Sequence, residues 1–120
     1  MLGKDGDGET LARLFEHNQV GTAYLIKSPS RITTSKSRII SRNQQMMRLD
    51  AEMTADLSEE EEELLLQNVQ QYLVKEKPQA LILEDYNKGV LTERLISEVI
   101  SQCKSAGVIT TVDPKRRHFL

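Results

Sequence analysis

Apolar positions along this chain fall either at intervals of three to four residues or in short unbroken runs, and the two patterns predict its elements. Leu11, Leu14 and Phe15 stand at helical spacing behind a Gly/Asp-rich opening, so a short helix is expected from about Gly8 to Asn18. Ahead of it, Met1 and Leu2 run straight into Gly3-Lys4-Asp5-Gly6 and read as the last step of a strand whose beginning is missing. Tyr24 to Lys27, Thr33 to Ser41 and Gln44 to Leu49 are β-prone pieces separated by Ser28-Pro29-Ser30 and an Arg42-Asn43 turn, and are expected to form a small antiparallel sheet. From Ser58 to Lys77, residues Leu65, Leu66, Val69, Tyr72 and Leu73 trace one stripe of an amphipathic helix that stops before Pro78.

Ala80 to Leu83 is a continuous apolar run, expected to be a buried strand. A polar loop from Glu84 to Gly89 leads to a second helix, with Thr92 as N-cap, Leu95, Ile96, Val99, Ile100 and Cys103 inward, and Gly107 just past its end. Val108 to Val112 is the next strand. Helix, strand, helix, strand with apolar strands implies a right-handed crossover between parallel neighbours. The expected class is α/β, in a single domain spanning residues 1–120, with a small sheet over about residues 22–50 and the rest α/β body.

Composition narrows the function classes. No apolar run approaches the roughly 18 residues of a membrane span, and the opening lacks the basic-then-apolar order of a signal peptide, so a cytoplasmic protein is expected. The lone Cys103 can form neither an internal disulfide nor a thiolate zinc cluster; on its apolar helix stripe it reads as a core residue. A net charge of -2 conceals a sharp segregation: Lys27, Arg31, Lys36, Arg38, Arg42 and Arg48 have no acid among them, whereas Asp50, Glu52, Asp56 and Glu59 to Glu63 have no base. The acidic block is most simply a solvated helix start, with Ser58 and Glu61 as a capping box. Nucleic acid is a poor partner for a chain of pI 5.7 whose basic stretch has no interleaved aromatics.

The candidate chemistry lies in loops and on one strand. Gly3-Lys4-Asp5-Gly6-Asp7-Gly8 is neither a dinucleotide fingerprint nor a calcium loop, because its glycines are wrongly spaced; it reads as a tight turn feeding a helix N-terminus. Ligands of parallel α/β sheets sit at the carboxyl ends of the strands. The loops there, Asp85-Tyr86-Asn87-Lys88-Gly89 and Asp113-Pro114-Lys115, each carry an acid and a lysine. Strand alternation puts Thr34, Lys36 and Arg38 on one polar, cationic face suited to an anion, though a plain solvent face has the same composition. His17 reads as a helix-end residue and His118 as a loop residue, without metal or triad spacing, and Met46 and Met47 as core and gap filler of the small sheet.

Taken in order, GKDGDGETL, ITTSKSRII, NQQMMRLDAE, LILEDYNKGVL and VDPKRRHF resemble consecutive blocks of the ribokinase-like (PfkB-type) sugar kinases. The likeness is strongest to the D-glycero-D-manno-heptose 7-phosphate kinase branch, which occurs as the kinase half of a bifunctional ADP-heptose synthesis protein or alone. That branch carries a TT-x-K-x-R strand, a QQ-x-x-R-x-D-x-E stretch, a DY-x-KG loop and a VDPK loop, matched here by Thr33 to Arg38, Gln44 to Glu52, Asp85 to Gly89 and Val112 to Lys115.

The resemblance implies a partial ribokinase-like three-layer sandwich, with parallel strands and a small β-lid. It implies ATP-dependent phosphorylation of the heptose 7-phosphate at its anomeric position, toward lipopolysaccharide core, with ATP and Mg2+ used by the full-length parent. Sugar and sugar-phosphate contacts are expected at Lys36, Arg38, Gln45 and Arg48, with Asp85 and Lys88 bordering the substrate crevice and Asp113 and Lys115 in the nucleotide and phosphoryl region. Partners are then small molecules, with no membrane or nucleic acid, and a homodimer is allowed. Glu84 and Arg116 depart from the Ser and Gly often found there, which blurs the exact sugar. The family's N-terminal sugar-binding Asp and Gly-Gly segment, its N-x-x-E motif and its G-A-G-D block with the catalytic base have no counterpart between Met1 and Leu120. No catalytic or metal-binding residue is therefore expected here, and the chain reads as an internal piece of a longer kinase, inactive alone. The alternatives are a kinase for another sugar, or a non-catalytic α/β sugar-phosphate-binding or interaction domain.

Overall fold

The computed structural model describes residues 1–115, so Arg116 and His118 lie outside the described residues. The chain divides into two compact units, meeting in sequence between Met53 and Thr54.

The first unit holds β1 (Leu2–Gly3), α1 (Gly6–His17), β2 (Lys27–Ser28), β3 (Ser35–Ser41) and β4 (Gln44–Ala51). Asp5 starts α1 by accepting a hydrogen bond from the Gly8 amide, and His17 ends it, as the sequence suggested. The Tyr24 to Lys27 segment does not join an antiparallel sheet. Its end is β2, which pairs parallel with β1 through Leu2↔Lys27 and Gly3↔Ser28. Pro29, with no amide hydrogen, cannot extend that ladder. Only β3 and β4 form the expected antiparallel hairpin. Its two-residue turn, Arg42-Asn43, has φ of 46° and 63°, the double left-handed geometry that matches strand twist. Both faces of this ribbon are open: Met46 and Met47 are 64% and 51% exposed and fill no core, because two strands alone supply no second layer.

The second unit contains α2 (Glu59–Glu76), β5 (Ala80–Glu84), α3 (Glu93–Ala106) and β6 (Ile109–Asp113). Strands β5 and β6 are adjacent and parallel from Ala80↔Ile109 to Glu84↔Asp113, as helix-strand alternation requires. Leu66 and Leu73 of α2, Leu83 of β5 and Leu95, Val99 and Cys103 of α3 form the core, with Cys103 fully buried. Two expectations fail. Ile100 is exposed, since the inward line of α3 is the i, i+4 series Leu95, Val99, Cys103. The apolar strands are covered on one side only: Ile82 and Ile109 are exposed, because Leu81 and Leu83 point to the helices and the alternate residues do not. Gly107 closes α3 in the left-handed conformation, and Lys77 does so for α2.

The acidic block is not uniformly solvated. The Ser58–Glu61 capping box forms, but Glu62 is buried and accepts hydrogen bonds from the Thr92 hydroxyl and from Arg94 Nη1 (2.9 Å). It thereby ties the start of α2 to the start of α3. The Thr92 hydrogen bond, followed by Arg94, holds the Glu62 carboxyl below its ordinary value of 4.5 against the opposing effect of burial. A depressed folded-state value means that this stabilisation is present above the unfolded-state pKa and is lost as pH falls through the folded one. Glu62→Gln is therefore expected to lower the thermal midpoint at neutral pH, with the gap to the native chain closing as pH drops below the ordinary glutamate range. Melting curves across that range check it.

Candidate functional site

On the hairpin, the pairing register decides which side chains act together. Lys36 lies opposite Asp50, Arg38 opposite Arg48 and Ile39 opposite Met47, but Ile40 pairs with Gln45, so Met46 is an extra residue in a β-bulge. Directly opposed residues share a face, as do residues two apart on a regular strand. Lys36, Arg38 and Ile40 therefore share one face with Asp50, Arg48 and Gln45. Simple alternation would have put Gln45 and Arg48, three apart, on opposite faces; the bulge restores them to one side. All four expected sugar-phosphate contacts on the hairpin thus fall together.

This face is not free of acid, as the sequence suggested. Asp50 stands 2.9 Å from Arg48 Nη2 and 3.9 Å from Lys36 Nζ. The blocks that segregate in sequence meet across the hairpin. Three cations against one carboxylate still leave a net positive face, and Arg38 makes no ion pair among the described residues. Two arginines opposite each other repel, which weakens a hairpin unless an anion comes between them.

In the second unit, the loops after β5 and β6 emerge at the same end of the sheet and are bound to each other. The Asp85 amide donates to the Asp113 carbonyl (3.1 Å). The Asp85 carboxylate, 5% exposed, accepts from the Asn87 amide (2.7 Å) and the Lys115 amide (3.4 Å). Asp85 borders the strand ends as expected, yet its carboxylate organises loop backbone. Lys115 also places its Nζ 5.3 Å from the centroid of the exposed Tyr86 ring, a cation–π contact joining the loops. Lys88 is half-buried between the two left-handed residues Asn87 and Gly89, and Asp113 is exposed at the strand end.

Sequence reading missed Asp50 and Tyr86. The Arg42-Asn43 turn alone would set Asp50 opposite Ser35, and only the bulge at Met46 brings it opposite Lys36; the Tyr86–Lys115 contact depends on the loops meeting. Among the described residues no group of three or more His, Cys, Asp or Glu side chains could hold a metal ion. Also among the described residues, no helix is long and apolar enough to cross a membrane.

A parallel strand pair backed by helices, with charged loops at its carboxyl end, and a separate basic hairpin make this a partial α/β fold. The same fold is seen in the crystal structure of Sa239, which matches 96% of this chain and 35% of its own with a TM-score of 0.65 at 18% identity. No protein-family model matches the chain. By sequence it is homologous to a segment of the bifunctional protein HldE: it is 41% identical over 119 residues to HldE of Methylobacillus flagellatus and 34% identical over 119 residues to HldE of Aliarcobacter butzleri. The alignments take in 99% of this chain, which spans about a quarter of the length of these curated relatives (24% and 25%).

Proposed function

We propose that this chain is the lid and strand-end segment of the kinase half of an HldE-type protein, one that phosphorylates D-glycero-D-manno-heptose 7-phosphate at the anomeric position with ATP in ADP-heptose biosynthesis. The observation that carries the reading is the Arg38–Arg48 cross-strand pair, sharing its face with Lys36 and Gln45. A planar guanidinium grips phosphate through two hydrogen bonds, and a phosphate between two of them would offset their mutual repulsion. Gln45 adds neutral hydrogen-bonding capacity of the kind a sugar hydroxyl requires. In the second unit, Lys88, Asp113 and Lys115 stand at the carboxyl ends of parallel strands, where α/β sheets place small ligands. They are assigned to the substrate crevice and the phosphoryl region, with Asp85 holding their loops in register.

The two halves of the parent protein are separable by assay. In the full-length protein, Lys36→Ala is expected to depress heptose 7-phosphate-dependent ADP release by about tenfold, while pyrophosphate release from ATP and heptose 1-phosphate stays unchanged. The opposite pattern would place this segment in the adenylyl-transferring half.

A further inference from the structure

The glycine-rich opening is left without a role by the proposed function, yet it makes side-chain contacts that reach about thirty residues along the chain, to the base of the hairpin. The Asp5 carboxylate divides its two oxygens. Oδ1 accepts from the Gly8 amide at 2.8 Å and caps α1, while Oδ2 accepts from the Thr33 amide at 2.8 Å, 28 residues away. The Thr33 hydroxyl in turn accepts from the Gly3 amide at 2.9 Å, and Thr33 is 6% exposed. The glycines make room for this knot. A Cβ on Gly3 would collide with Asp5 Oδ2 and lie 2.6 Å from the Thr33 amide nitrogen, and a Cβ on Gly8 would collide with the Gly3 carbonyl and lie 2.9 Å from the Thr33 hydroxyl. Gly6, between them, has nothing within 4 Å. The spacing of Gly3 and Gly8, which fits no nucleotide or calcium motif, is the spacing needed to bring one carboxylate against Thr33.

Thr33 stands two residues before the first residue of β3 and three before Lys36. A paired strand is stiff, so whatever holds Thr33 sets where the basic face begins. We infer that Asp5 is a positioning residue for the phosphate-binding face of the hairpin, fixing the base of β3 without itself touching the ligand. This rests on the proposed reading of that face. The Thr33 amide, the Gly8 amide and the Thr33 hydroxyl together hold the Asp5 carboxyl below its ordinary range, so the clamp is ionised at neutral pH.

Asp5→Asn separates the two duties of the side chain. Asparagine caps helices as well as aspartate does, but whichever way its amide turns, one of the two N–H groups meets an NH2 instead of an oxygen. In the full-length parent, Asp5→Asn is expected to raise KM for heptose 7-phosphate between about tenfold and a hundredfold, leaving KM for ATP within about twofold. Asp7→Asn, an exposed first-turn acid of α1 with no part in the knot, is expected to change neither. Gly8→Ala serves as an independent second variant: alanine suits the helix, but its methyl must displace Thr33, so the same split is expected. The inference is overturned if Arg38→Ala weakens the sugar phosphate while both Asp5→Asn and Gly8→Ala leave it untouched, or if these two variants weaken sugar and ATP equally. If Arg38→Ala itself has no effect on the sugar phosphate, the reading of the basic face has failed instead.

Discussion

Gly89→Ala is expected to be the most destabilising single-methyl change in the second unit, costing about 2–5 kcal/mol. Two effects add. Gly89 has φ of 72°, where a side chain costs roughly 1–2 kcal/mol. In addition, a Cβ there would collide with the carbonyl carbon and oxygen of Ala55 and lie 2.9 Å from the Asp56 amide nitrogen. These are backbone atoms, held by the hydrogen bond from the Leu57 amide to the Gly89 carbonyl (3.0 Å), so they cannot swing away as a side chain would. Overpacking of this kind adds about 1–3 kcal/mol. Gly107 supplies the control: its φ is 70°, but nothing lies within 4 Å of its missing Cβ. Gly107→Ala should therefore show the conformational cost alone. Thermal midpoints of the two variants in the same full-length background measure the difference. Equal shifts would mean that the Ala55–Leu57 segment yields, and that the loop carrying Lys88 is not pinned by it.

Arg38→Ala in the full-length parent is expected to weaken the phosphorylated sugar far more than ATP. Of the three cations on the hairpin face, Lys36 and Arg48 share Asp50, whereas Arg38 has no carboxylate among the described residues and keeps its whole charge for a ligand. Losing a charge-assisted hydrogen bond costs about 1.5–3 kcal/mol, or roughly ten- to a hundredfold in affinity. Arg48→Ala should cost less, because it also releases Asp50 and relieves the repulsion across the strand pair. Arg42→Ala, at the turn beyond the paired residues, should leave the sugar's KM unchanged and so exclude a general effect of hairpin charge. Separate KM values for heptose 7-phosphate and ATP decide the matter: parallel losses for both ligands would point to a folding defect in the hairpin, and no loss for either would remove the face from the site.

Local rules make several elements legible in the sequence. The Ser58–Glu61 box, the Thr92 cap, Pro78 and Gly107 bracket the two helices of the second unit, because orphaned helix-end groups demand particular side chains in sequence order. The Arg42-Asn43 turn and the apolar runs around β5 and β6 announced a hairpin and a parallel pair for the same kind of reason. Because the two strands run parallel, the loops bearing Asp85 and Lys115 had to emerge at the same end.

What sequence alone could not decide depends on contacts between distant residues. Whether Gln45 joins Arg48 turns on one extra residue, Met46, in the ladder, and a bulge leaves no local mark in composition. Met46, Met47 and Ile82 are as apolar as core residues, and only the number of layers packed around them left them exposed, while Ile100 falls off the inward Leu95, Val99, Cys103 line of α3. Glu62 looks like its four acidic neighbours, and it is buried only because Thr92 and Arg94 arrive at its end of α2. The residues that punctuate and pattern the chain were determined by the sequence itself; the partners of its charged side chains were decided only when tertiary packing desolvated some of them and left others in water, since charge pairing depends on distance through space and not along the chain.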